Sequence, residues 1–280
     1  MRARTLLAGI ALLALLALQG CSVSRLAYDN GDVFLRWQAN NYFDFEGDRS
    51  EDLDRVLAAF LAWHRAKALP QYARLADEAA ARMLKGLRRE DLDWGYDAVR
   101  GQVREALGAA ATGSAALLDR LSPEQIVHFE QRLAEENRKF VKEQVQGTMQ
   151  ERNERRVKRN VERLEDWFGS LSESQVERVK RYSERAPFSA DLRDRDRRRR
   201  QAEFLAMLRA RQAQQRLAGW AQDWEAGREP AYERASRATR AEYVDLLLDL
   251  DRSLSTEQRE HAARRLKRFA ALFESLSRRP

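Results

Sequence analysis

The chain has 280 residues, with 51 Lys and Arg against 44 Asp and Glu, a net charge of +7, and one cysteine, Cys21. A lone thiol excludes an internal disulfide and a cysteine-based metal site. Strand formers are scarce, with two isoleucines and five threonines, whereas Leu, Ala, Glu, Arg and Gln dominate, so the chain is expected to be all-α.

Residues 1–20 have the organisation of an export signal. Arg2 and Arg4 form a basic start, and Leu6 to Leu18 is an unbroken run of Leu, Ala, Gly and Ile. Thirteen residues at 1.5 Å each fall short of a hydrocarbon core of about 30 Å, so the run reads as a signal core and not as a spanning helix. It ends in Leu18-Gln19-Gly20-Cys21, which resembles the lipobox of bacterial lipoproteins. That resemblance implies cleavage between Gly20 and Cys21, with a diacylglyceryl thioether and an acylated amino group on Cys21, a lipid that labelled palmitate would enter. Ser22 after the cysteine points to the outer membrane. The mature chain, 21–280, is then a lipid-anchored domain facing the periplasm, with its charge reduced to +5 by loss of two arginines. Nucleic acid is not an expected partner there. Lipid headgroups, lipopolysaccharide, peptidoglycan and acidic proteins are the anions available.

The first helical segment is aromatic, "YDNGDVFLRWQANNYFDF", residues 28–45. It reads either as a helix packing into a bundle or as a surface resting at the membrane interface, where Trp and Tyr are favoured. Ser22 to Ala27 alone separate it from Cys21, a reach of ~20 Å at full extension.

Apolar residues at 3-4 spacing continue to the C-terminus. Leu53, Val56, Leu57, Phe60, Leu61 and His64 form one stripe, which Pro70 should bend or break before Tyr72, Leu75, Ala79 and Met83 resume it. Leu92 to Leu107 follow. The next stripe, from Ile126 to Leu171, would make a helix of roughly 70 Å over 123–169 if continuous, with "QGTMQERNERR" (146–156) as its polar middle. Residues 173–185, 191–225, 232–254 and 262–276 complete the series. The near-heptad stripes predict an elongated, coiled-coil-like bundle of seven to eight mostly antiparallel helices.

One element recurs. "LSPEQIVHFEQRL" (121–133), "LSESQVERVKRYS" (171–183) and "LSTEQREHAARRL" (254–266) place Ser122, Ser172 and Ser255 at helix N-caps and Gln125, Gln175 and Gln258 three residues on, a capping box in each case. The motif also resembles the LTxxQ motif of periplasmic helical chaperones of the Spy and CpxP type, which would imply a protein that holds unfolded clients.

Candidates for chemistry are few. His64, His128 and His261 are isolated, and metal binding would need His128 or His261 to meet carboxylates such as Glu124 or Glu257. No Gly-rich phosphate loop, G-x-S-x-G or cysteine–histidine pair is present, so neither an enzyme nor a cofactor beyond the covalent lipid is expected. The run "RDRDRRRR" (193–200) covers most sides of a helix, and Arg197, Arg198, Arg199 and Arg200 are candidates for docking an anionic lipid or glycan.

The lipobox followed directly by "RLAYDNGDVFLRWQANNYFDF" and some 230 helical residues resembles a family of Gram-negative lipoproteins known only as a domain of unknown function. The resemblance implies an all-helical, lipid-anchored envelope protein and carries no activity. It marks Arg25, Tyr28, Asp32, Trp37, Tyr42 and Asp44 as membrane- or partner-facing candidates. The expectation is a non-enzymatic protein that binds or positions another envelope component. The alternatives are an LTxxQ-like chaperone, and a metal protein or enzyme using His128 and His261.

Overall fold

The computed structural model describes Tyr28, residues 30–45 and residues 48–278. Gly20, Cys21 and Arg25, and with them the expected signal and lipid, lie outside the described residues. Helix α1 spans Gly31–Phe43, α2 Asp48–Trp63, α3 Leu69–Lys85, α4 Arg89–Leu118, α5 Pro123–Phe140 and α6 Met149–Phe168. Then follow α7 Glu173–Arg185, α8 Ala190–Arg209, α9 Ala213–Gln222, α10 Pro230–Asp251 and α11 Thr256–Ser277. The fold is all-α, with no strand among the described residues.

The helices are more numerous than the periodicity predicts. A π-turn, His64–Ala68, joins α2 to α3 without a break, so eleven α-segments make ten rods among the described residues. The Leu69 N–H bonds the His64 carbonyl five residues back. The ladder is thus widened just ahead of Pro70, which has no N–H to give, and the proline passes without breaking the helix.

Two expected helices are each divided, which accounts for the excess. Residues 123–169 stop at the π-turn Val141–Val145, where Gln146 is extended and Gly147 takes φ +100°. Only glycine adopts that backbone without strain, and a Thr148–Glu151 capping box then starts α6. Residues 191–225 stop at a Schellman turn. Arg211 is left-handed (φ 54°), its N–H bonds the Leu208 carbonyl, and the Gln212 N–H bonds that of Met207. Helix α9 then begins on a borrowed cap, the Asp119 carboxylate accepting from the N–H groups of Ala213 (2.6 Å) and Gln214 (3.1 Å).

The core has two main bodies. The first gathers Tyr42, Phe43 and Phe45, Leu53, the C-terminal half of α4, Ile126, Phe129 and Leu133 of α5, Leu205 to Leu208 and α9. The helices α4 and α9 run antiparallel, and Gly108 faces the contact, where a Cβ would meet the flexible end of the Gln222 side chain. The second body gathers Ala80 and Met83 of α3, Leu164 and Phe168 of α6, Val179 and Tyr182 of α7, Leu246 and Leu250 of α10, and Ala262 and Ala263 of α11. Among the described residues the most extensive helix pairing is α3 with α11. It is antiparallel, since Leu69 meets Leu272 and Leu276 at one end while Arg259 bonds the Met83 carbonyl at the other. Each such leucine contributes about 1.5–3 kcal/mol on burial.

The recurring Leu-Ser-x-x-Gln element does more than start helices. All three capping boxes form as expected. In each, the glutamine Oε1 accepts the N-cap N–H, which leaves Nε2 free to reach the C-terminus of another helix. Gln125 donates to the carbonyls of Phe43 and Asp44, at the end of α1. Gln175 donates to Ser253 O, just after α10, and Gln258 to Ser170 O, just after α6. Three residues further on, a second donor reaches the last turn of the same partner helix: His128 to Asn41 O, Arg178 to Asp249 O and His261 to Trp167 O. A positive helix N-terminus thus meets a negative C-terminus three times over. The last two copies also lock each other, because the amides of Gln175 and Gln258 exchange hydrogen bonds of 3.0 and 2.9 Å.

Candidate functional site

The segment expected to face the membrane is tied down at both ends. At its start, Tyr28 stacks on His64 and its hydroxyl lies 3.1 Å from His64 Nδ1. His64 heads the π-turn and is surrounded by the rings of Phe60, Trp63 and Tyr72, while Tyr72 meets Phe273 edge-on. Leu69, Leu272 and Leu276 close the cluster. Burial pushes Tyr28 up to about 12, partly opposed by Arg65, and pushes Tyr72 up to about 12 as well. Burial, assisted by the Arg65 charge, pushes His64 down to about 4. The pair therefore consists of a protonated phenol hydrogen-bonded to a neutral imidazole.

Helix α1 then divides its aromatics between two faces. Tyr42, Phe43 and Phe45 are in the first core body, with the Phe43 and Phe129 rings 4.6 Å apart and Tyr42 edge-on to Phe129. On the opposite face Val33 is 61 % and Trp37 57 % exposed, beside Arg36, which pairs with Asp54 at 2.6 Å. Asp44 ends the helix in a left-handed conformation, its N–H bonding Asn40 O.

Of the outward-facing candidates, Asp32, Trp37 and Asp44 are exposed. Tyr28 and Tyr42 are not. Both are buried, one against His64 and one against Phe129, because their rings cover more apolar area than their single hydroxyls cost.

The histidines do not converge on carboxylates. His128 and His261 each donate a ring N–H to a helix-end carbonyl, and His64 serves Tyr28. Among the described residues no group of three or more His, Cys, Asp or Glu is placed to hold a metal ion.

The arginine run lies on α8 with its charges engaged. Arg197 donates to Asn137 on α5 and lies over Phe140. Arg198 pairs with Asp194 within the helix. Arg199 bridges Asp196, Glu203 and the Ala226 carbonyl. Arg200 donates to Trp220 O and stacks 3.7 Å over that indole. Burial pushes Arg197 and Arg200 below the ordinary arginine value. Three of the four thus fasten α8 to its neighbours, and Arg198 is the outward member.

Among the described residues no helix is long and apolar enough to cross a membrane. The sequence matches the family of unknown function DUF6279 over residues 41–233, more than half of the chain, and the chain belongs to that family. No curated protein and no solved structure matches it.

Proposed function

We propose that this DUF6279 member is a non-enzymatic lipoprotein, anchored through Cys21 at the outer membrane and facing the periplasm, where it binds or positions another envelope component. The observation that carries the reading is the spacing at its start. Seven residues after Cys21, Tyr28 is docked on the buried His64, so a lipid on Cys21 would leave the body no long tether. The exposed face of α1, with Val33 and Trp37, then lies close to the bilayer and offers an aromatic contact of the kind favoured at the interface.

A chaperone cradle would need a broad exposed apolar surface. The exposed large apolar side chains among the described residues are Val33, Trp37, Leu84, Tyr96, Val99, Val127 and Met149, in ones and twos on five helices. That dispersion favours an adaptor over a holder of unfolded clients. The Leu-Ser-x-x-Gln elements, the basis of the LTxxQ resemblance, are used up in helix-to-helix clamps.

The test has two parts. Cells expressing the full chain should incorporate labelled palmitate into it, and Cys21→Ser should abolish the label. A photo-crosslinking side chain at position 37 should capture lipid or an envelope protein more efficiently than one at the exposed Lys267. Label retained by Cys21→Ser, or equal capture from the two positions, overturns the proposal.

A further inference from the structure

A second group of arginines, outside the run at 197–200, faces an open cleft. A cleft of about 190 Å³ opens between α6, the α7–α8 connection and the π-turn after α5. Helix α6 contributes Arg152, Arg155, Arg156 and Arg159 to its wall, the i, i+3, i+4, i+7 spacing of one helix face, and α8 adds Arg193.

The hydrogen-bond and ring partners of Arg152, Arg155, Arg156 and Arg193 are uncharged. Arg156 donates to the carbonyls of Ser183, Ala186 and Pro187 and stacks 3.6 Å over Phe188. Arg155 donates to Gln146 O. Arg152 touches the Met149 sulfur, and its Nε is buried with no hydrogen-bond partner. Arg193 lies over the Phe140 ring. Beside the guanidiniums of Arg152, Arg155, Arg156 and Arg193 stand Glu143 on the wall and Asp191, whose carboxylate is 3.8 Å from Arg152 and itself half exposed.

Two further features favour a negative occupant. Ser189, the N-cap residue of α8, makes no side-chain cap bond, and Ser189 and Ala190 line the cleft, so the positive end of that helix dipole lies at its wall. Arg156 is also pushed below the ordinary arginine value, by burial and then by the crowding charges of Arg159 and Arg152, against the pull of Tyr182. An anion in the cleft would relieve that crowding. The guanidiniums are already oriented by carbonyls and ring faces, which lowers the entropy lost on binding.

We propose that this cleft binds a phosphomonoester, a compact dianion whose oxygens match several guanidiniums at once. The site stands independently of how the chain is anchored. The phosphate could be a soluble one or the headgroup of a lipid, and both present the same group to the arginines.

Calorimetric titration of the full chain at low salt, with inorganic phosphate as the probe, tests the site. Binding should weaken at least tenfold in Arg152→Gln/Arg193→Gln and stay within twofold of the parent in Arg198→Gln, a charge change on the outward face of α8. Phosphate should raise the parent's thermal midpoint and leave that of the double variant unmoved, while the two midpoints without phosphate agree. Short-chain phosphatidic acid below its micelle concentration serves as the second probe. Tighter binding than inorganic phosphate, lost in the double variant, assigns the lipid source, and binding of inorganic phosphate alone assigns the soluble one. Either result sustains the site. No phosphate binding by the parent, undiminished binding by the double variant, or equal weakening by Arg198→Gln overturns it.

Discussion

Replacing Gln175 by alanine removes four hydrogen bonds from one buried amide. Its Oε1 accepts the Ser172 N–H at 2.9 Å and the Gln258 amide at 2.9 Å, and its Nε2 donates to Ser253 O and to Gln258 Oε1, both at 3.0 Å. The side chain is 2 % exposed, so water does not replace these partners. At a net ~1 kcal/mol per bond, moderated by relaxation, Gln175→Ala should cost about 3 kcal/mol. Gln258→Ala removes the equivalent bonds at a wetter position and should cost about 2 kcal/mol. Two of the bonds are shared, so the double variant should cost less than the sum by about 1–2 kcal/mol. Urea unfolding of the chain lacking residues 1–20, followed by far-UV circular dichroism, measures all four corners of the cycle. Additivity within ~0.5 kcal/mol would show that the two clamps stand independently and that the reciprocal amide pair is not a unit.

Acid should find His64. The unfolded imidazole takes a proton below about 6.5 while the folded one waits until about 4. The stability it supplies is therefore complete above pH 6.5, falls as pH drops toward 4, and levels below that, a total of about 3 kcal/mol at ~1.4 per unit. His64→Gln should flatten that part of the stability–pH curve, and an unchanged slope would place the acid sensitivity elsewhere. Arg211→Gly relieves a left-handed side-chain residue at an exposed helix end and should stabilise by about 0.5–1 kcal/mol, read as a rise in the urea midpoint. Asp119→Ala strips the cap from α9 and should cost about 1–2 kcal/mol, with α9 amides losing hydrogen-exchange protection first.

The sequence announces features that act over one or two turns. Serine caps with glutamine at the third position appear where they are read. Features that depend on a distant partner do not. Nothing local marks Asp119 as the cap of α9, or Gln125 as the ligand of two carbonyls at the end of α1. The aromatic segment was ambiguous because its period suits a core and an interface equally, and only the packing of α5 decides that Tyr42 turns inward while Trp37 does not. The cleft on α6 left a readable trace, arginines at 152, 155, 156 and 159. The denser run at 197–200 outshone it, yet charge density is a poor guide where arginines can spend themselves on carbonyls and indole faces.

The pairing of α3 with α11 also sets the order in which the molecule can be completed. Ala80, Met83 and Leu69 emerge early, on a helix whose main partner is the last to appear. A chain threaded through a membrane N-terminus first would therefore present an unsatisfied apolar stripe until residues 256–277 had followed it. The final helix is the latch that closes this stripe.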